Sequence, residues 1–456
     1  MKPNSFPRVL SKALSSIGFS DRRVGDDDFT KATAVKTPQN SLIKVFQMAG
    51  YFQPKFLRQQ SYLMDLDPKT KTHKDLWSCG VKASSEHLED VAREAESRVD
   101  STEFLMDNLF KSPFDDSFDA SELVVRIGQS AFGRDVNIER NELVAKSWME
   151  SCKEEYLRNA EVIGLISEKT PSHKEYDEIW IMGAARFRVM DRVKYAKAMI
   201  DSGITCITLR LLTGERELWA EIDKISTIEE AKDYMLKLAK KNDIEVDKDN
   251  PFDVDRFKGR TYLRYAIGEE RKVTETMMAK EIFYEVFAKA IEEIIDSKAE
   301  SGMLRPITAT NVADLLKGDF GKKMREKLVS KDKVKIAIVS NQPYCDRQAK
   351  TSEVEIYKFF KEILVEKGIE LEGVGSKSTA TVAQIHSELG ALILEGYKLY
   401  LLRNRLESKR PLENLSYQTR CNDETLVPKI FGSVMAPKSQ AMVDNSRSKD
   451  SSAKRG

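Results

Sequence analysis

The chain has 456 residues, 41% of them hydrophobic and 32% charged, with only 22 glycines and 13 prolines. That balance excludes collagen-like, disulfide-scaffold and globally disordered classes, and it fits a soluble, helix-rich globular protein of about two to four domains. Lys plus Arg (74) against Asp plus Glu (73) leave a formal net charge of +1, so there is no global electrostatic footprint for nucleic acid or an anionic membrane surface.

Residues 1–40 are polar, are broken by Pro3, Pro7 and Pro38, and read as a flexible leader. No run reaches the ~18 consecutive apolar residues of a membrane-spanning helix. From 41 to 170 the pattern turns helical. Leu88, Val91, Ala95 and Val99 recur at spacings of three to four, and a second run extends from Leu143 toward Val162, as expected of amphipathic helices. This helical N-terminal region carries no recognisable chemistry and offers a surface for a protein partner. The five cysteines (Cys79, Cys152, Cys206, Cys345, Cys421) are scattered and never form CxxC. That predicts reduced thiols in a cytoplasmic compartment. Four dispersed histidines (His73, His87, His173, His386) do not suggest a zinc site, and no residue pattern names a cofactor.

The pattern changes near residue 175. Ile179-Trp180-Ile181-Met182 runs into Gly183, a helix is expected from Arg188 to Ile200, and Ile204–Leu212 is β-rich, ending at Thr213-Gly214. This is the strand–helix–strand unit of a parallel sheet. Residues 221–271 form a charged insertion. Ser226-Thr227-Ile228-Glu229 has capping-box spacing for a helix to about Lys241, and the segment reads either as a lid or as solvated decoration. A long helix is expected over Thr274–Lys298, with Thr274 and Glu275 serving its N-terminus. Lys335–Ser340 reads as a buried strand, Glu353–Gly368 as a helix, Glu370–Val374 as a strand and Thr381–Leu402 as a closing helix. The region 175–405 is therefore α/β, a Rossmann-like doubly wound, mostly parallel sheet. Residues 437–456 hold five basic against two acidic residues and read as a disordered basic tail.

In such a sheet, ligands sit beyond the carboxyl ends of the strands, and four segments fall there. Gly183 allows a tight turn, and Arg186 and Arg188 behind it can fork onto a phosphate or carboxylate. Gly214 permits close approach, followed by Glu215, a candidate base or hydroxyl holder, and Arg216. Asn311 sits in a helix start that Thr308 or Thr310 could cap. Ser340-Asn341-Gln342-Pro343-Tyr344-Cys345-Asp346-Arg347-Gln348 follows the strongest strand. Cys345 has no neighbouring histidine in sequence and makes a poor nucleophile.

The order of these segments resembles the ElyC/SanA/YdcF-like proteins. Thr310-Asn311-Val312-Ala313 matches that family's Thr-Tyr-Glu-Asn-Ala type segment in shortened form, and Val339-Ser340 with Arg347 matches its Thr-Ser…His…Arg segment. The resemblance covers roughly residues 175–405. The histidine expected between Ser340 and Arg347 is replaced by Gln342-Pro343-Tyr344. The resemblance implies a Rossmann-like fold binding a nucleotide-like or phosphorylated ligand. The site expected on these grounds uses Gly183, Arg186, Arg188, Gly214, Arg216, Asn311, Ser340, Asn341, Gln342 and Arg347 for a small anionic ligand, with Glu215 catalytic. An enzyme built on it would be a hydrolase or transferase. The competing expectation is an interaction or effector protein whose α/β core is only a scaffold.

Overall fold

The computed structural model describes residues 140–403, apart from 258, 268–270, 300–305, 331–332 and 361–367, and a few positions between 41 and 93. The leader, the basic tail and, but for Asp90 and Arg93, the helical run 86–99 lie outside the described residues.

Strands β1 (Glu175–Met182), β2 (Thr205–Gly214), β5 (Glu293–Ser297), β6 (Val334–Asn341) and β7 (Ile369–Ser376) form one sheet in the order β5-β2-β1-β6-β7. Every pairing in it is parallel. The uninterrupted apolar runs of β1 and β6 follow from cover on both faces. On one face Ile179, Ile181, Leu211 and Val339 pack against Val189 and Val193 of α3 (Arg186–Asp201) and Met278 and Ile282 of α6 (Glu275–Phe287). On the other, Trp180, Met182, Ile336 and Ile338 meet α7 (Thr308–Lys317), α8 (Asp319–Val329) and α9 (Cys345–Phe359) through Val312, Leu316, Phe320, Leu328 and Ile356. Each fully buried Ile, Leu or Val contributes about 1.5–3 kcal/mol, so this double cover is the main source of cohesion. The sheet is α/β and doubly wound. The closing helix α10 (Val382–Arg403) packs with α1 (Ser147–Ser151) and α2 (Lys153–Ile163) around Met149, Tyr156, Ile385, Leu389 and Tyr397.

Three expectations are corrected. The long helix over Thr274–Lys298 is two elements. α6 ends where Ala288 turns left-handed at φ 54°, and β5 then adds an edge strand, with Arg210 opposite Glu293 in register. Ile291, Ile294 and Ile295 fit a helical spacing as well as a strand, and the open edge of β2 decides between them. The Arg210 guanidinium, 2.7 Å from Glu293, ties the pairing. The second correction is the helix expected from Glu353, which begins at Cys345. The polar loop after β6 thus shrinks to Gln342-Pro343-Tyr344, with a cis bond before Pro343.

The third concerns the insertion, which is not solvated decoration. It holds the short α4 (Ala220–Asp223), α5 (Ile228–Lys241) and an antiparallel hairpin, β3 (Phe252–Phe257) with β4 (Arg260–Tyr265), turning at Gly259 with φ 75°. Tyr262, Leu263 and Tyr265 are buried, Trp219 meets Tyr262 edge-on at 5.9 Å, and Arg260 lies 4.7 Å over Trp219. Its charged side chains pair locally, Arg264 with Glu217 and Asp255, and Arg271 with Asp253. The cap of α5 is one residue later than the expected box. Glu230 N–H donates to Thr227 Oγ1, and the Glu230 carboxylate accepts from Ser226 N–H, each at 3.0 Å.

Gly375 stands opposite Ser340 in the β6–β7 ladder, and a Cβ there would overlap the Ser340 carbonyl. Gly375→Ala is expected to cost about 1–3 kcal/mol, the usual range for an overpacked site. Chemical denaturation measures it, and an unchanged midpoint would mean that the two strands can separate freely.

Candidate anion site at the strand ends

β1 is continued by β2 on one side and flanked by β6 on the other, so the chain reverses direction across the sheet between β1 and β6. Doubly wound sheets open a crevice beyond the carboxyl ends at this point. Two of the expected segments, Gly183–Arg188 and Gln342–Arg347, flank it.

Arg188, in the first turn of α3, stands at this crevice. Its Nη2 donates to Gln384 Oε1 at 3.4 Å, and its guanidinium lies 4.8 Å from the Tyr344 ring and 5.4 Å from that of Phe187. Its buried Nε has no hydrogen-bond partner, and among the described residues no carboxylate pairs with it. One turn along α3, Arg192 is 2% exposed. Its Nε donates to Asn341 Oδ1 at 3.0 Å, and its Nη1 donates to the carbonyls of Met182 and Gly183 at 2.8 and 2.7 Å. Arg192 therefore rivets the β1 turn to the end of β6. It too has no carboxylate partner among the described residues. Burial, and then the Arg188 charge, pull its pKa down to about 9. Sequence reasoning missed Arg192, although a cation set beside the apolar stripe Val189, Val193, Ala196 was a legible signal.

Around them, Arg140 of the 3-10 turn Arg140–Glu142 lies 5.0 Å from the same Tyr344 ring and 3.1 Å from the Glu388 carboxylate, and Gln384 donates to the Arg140 carbonyl at 3.0 Å. Gln342 donates to the Gly164 carbonyl at 2.9 Å, while its Oε1 is buried without a partner, as is the Tyr344 hydroxyl. Buried polar atoms are almost always satisfied. Arg188, Gln342 and Tyr344 are among the described residues that leave such an atom unsatisfied.

The other expected site residues are placed differently. Arg186 pairs with Glu230 at 3.0 Å and lies 4.4 Å from the Tyr234 ring. Arg347 pairs with the fully buried Glu388. Arg216 is 3% exposed and clamped between Asp223 and Glu275, each 2.9 Å away. Asp223 also accepts from the backbone N–H of Arg186 and Trp219 at 3.0 and 3.2 Å. This buried tie joins the ends of β1 and β2 to α4 and α6. A Cβ at Gly183 would meet the Glu275 carboxylate, and one at Gly214 would meet Pro306, so both glycines admit protein rather than open space. Glu215 is exposed, 3.7 Å from Lys298 at the β2–β5 edge. Ser340 donates to Gln348, whose amide donates to Thr308 Oγ1 at 3.3 Å. Asn311 is buried in α7 with its Oδ1 unpartnered.

Cys345 is fully buried, and burial, with Asp346 adding to it, pushes its thiol up to about 12. It is expected to resist iodoacetamide at pH 8 in the native protein and to react once the chain is unfolded. Mass spectrometry of the labelled peptide checks this, and rapid native labelling would contradict it.

Among the described residues no cluster of three or more His, Cys, Asp or Glu could hold a metal, and no helix is long and apolar enough to cross a membrane. No family model, curated protein or solved structure matches the chain.

Proposed function

We propose that the protein binds a small anionic ligand, phosphorylated or nucleotide-like, at the carboxyl ends of β1 and β6. The observation that carries this reading is Arg188, a guanidinium with a buried, unpartnered Nε and no carboxylate. An unpaired cation in a shielded crevice is costly unless an anion completes it. Arg188 would bind the anionic group, Arg192 would reinforce it, and Gln342 and Tyr344 would orient the rest of the ligand. A hydrolase or transferase acting on that ligand, as the ElyC/SanA/YdcF-like resemblance implies, is the enzymatic form of the proposal. In that form Glu215 acts on a part of the ligand extending toward β2. Free Cys152, Cys206 and Cys345 are compatible with the cytoplasmic location we assign it.

The alternative is partner binding with the α/β core as scaffold. One observation favours it: the hairpin exposes Val254 and Phe257, at 51% and 59%. A thermal-shift screen of the full chain separates the two. Phosphate, pyrophosphate, nucleotides, nucleotide sugars and sugar phosphates are expected to include stabilising ligands, since a ligand that binds only the folded state raises its melting temperature. No shift from any of them in a folded sample would overturn the ligand reading and leave the partner reading.

A further inference from the structure

Resting on that reading, we infer that the group held at the β1–β6 switch point is a dianion, a phosphate monoester rather than a diester or a carboxylate. The charge balance of the crevice carries the inference. Four guanidiniums converge there: Arg188 and Arg192 on α3, Arg347 on α9, and Arg140 on the preceding 3-10 turn. The buried and half-buried carboxylates nearest them already face cations. Glu388 on α10 takes Arg140 and Arg347, Glu275 at the start of α6 takes Arg216, and Asp346 on α9 takes Lys169. Asp191, on the same helix as Arg188, is exposed. The nearest remaining titratable groups are the Cys345 thiol and the Tyr344 hydroxyl. The thiol is held protonated by burial.

Arg188 and Arg192 are thus left without a carboxylate in ion-pair range among the described residues, and Glu275, shared with Arg216, acts on Arg192 only through space. Arg188 has a buried N–H to give, and the three hydrogen bonds of Arg192 use only Nε and Nη1. A singly charged ligand would balance one of the two guanidiniums and leave the other buried beside it. A monoester phosphate carries close to two charges at neutral pH and three acceptor oxygens, enough to engage both. The Tyr344 ring lies against Arg188 and Gln342 follows Asn341, which accepts from Arg192, so their unpartnered hydroxyl and Oε1 suit the hydroxyls of the esterified portion, for which a bare inorganic ion has no counterpart.

The test compares methyl phosphate, sulfate and dimethyl phosphate on the full-length protein by calorimetric titration between pH 5 and 8. Methyl phosphate is expected to bind about tenfold or more tightly at pH 7.5 than dimethyl phosphate, the usual scale for losing a charged hydrogen bond. Its affinity should rise with pH as its second ionisation near pH 6 completes, while that of sulfate, a dianion throughout, stays flat. Arg188→Gln should erase the preference, and Arg188→Lys should retain part of it. Equal binding of dimethyl phosphate, or methyl phosphate affinity flat across pH 6, would overturn the dianion inference and leave anion binding standing. Failure of all three probes to bind a folded protein would overturn both.

Discussion

Arg216→Met is expected to lower stability by about 3–5 kcal/mol, the cost of breaking a buried ion pair by removing one partner. For a folded region of this size that is a fall of roughly 10 °C in melting temperature. The reason lies in what the substitution leaves behind. Asp223 is 1% and Glu275 6% exposed, and without the guanidinium between them two buried carboxylates lie close together. In the native protein burial alone would lower the pKa of Arg216, but Asp223 and Glu275 outweigh it and hold the pKa above its ordinary value. The cation therefore contributes at every pH below the ordinary arginine range and is lost only above it. In the variant two buried carboxylates face each other without a cation, and since burial and like-charge repulsion both disfavour the ionised pair, the loss of stability grows as pH increases. Urea denaturation at pH 5 and pH 8 measures both effects. The variant should be closer to wild type at pH 5, and a loss under about 1 kcal/mol at pH 8 would show that water, not Arg216, satisfies the two acids.

Arg188→Gln is expected to behave in the opposite manner, harmless to the fold and severe for binding. It removes a guanidinium that has no carboxylate partner and that weakens Arg192's hold on its own proton, so stability without ligand should be unchanged or slightly higher. Losing a charged hydrogen bond costs about 1.5–3 kcal/mol, roughly a tenfold to hundredfold fall in affinity. At a ligand concentration one hundred times Kd, wild type gains about 2.7 kcal/mol and the variant keeps about 0.4–1.4 kcal/mol. Parallel melts with and without ligand read the difference. Equal ligand-induced shifts in both proteins would remove Arg188 from the site.

The doubly wound sheet was legible in the sequence because β1 and β6 are covered on both faces and so read as unbroken apolar runs, Ile179–Met182 and Ile336–Val339. The edge strand β5 was not, since Ile291, Ile294 and Ile295 satisfy a helical spacing and only pairing with β2 makes them a strand. The hairpin was hidden by its charges, whose cross-strand partners are not neighbours in sequence. That Gly183–Arg188 and Gln342–Arg347 each follow a strand was readable from the order of the segments. Which arginines are spent on internal carboxylates was not, because Glu230, Asp223 and Glu388 reach Arg186, Arg216 and Arg347 only through the fold.

Hydrogen–deuterium exchange of the full-length protein, with and without the best stabilising phosphorylated ligand, tests the central claim most directly. Crevice binding predicts slowed exchange in peptides covering 183–189 and 341–348, with the hairpin 252–265 unchanged. Protection confined to the β2–β5 edge or the hairpin would contradict it and place the binding surface elsewhere.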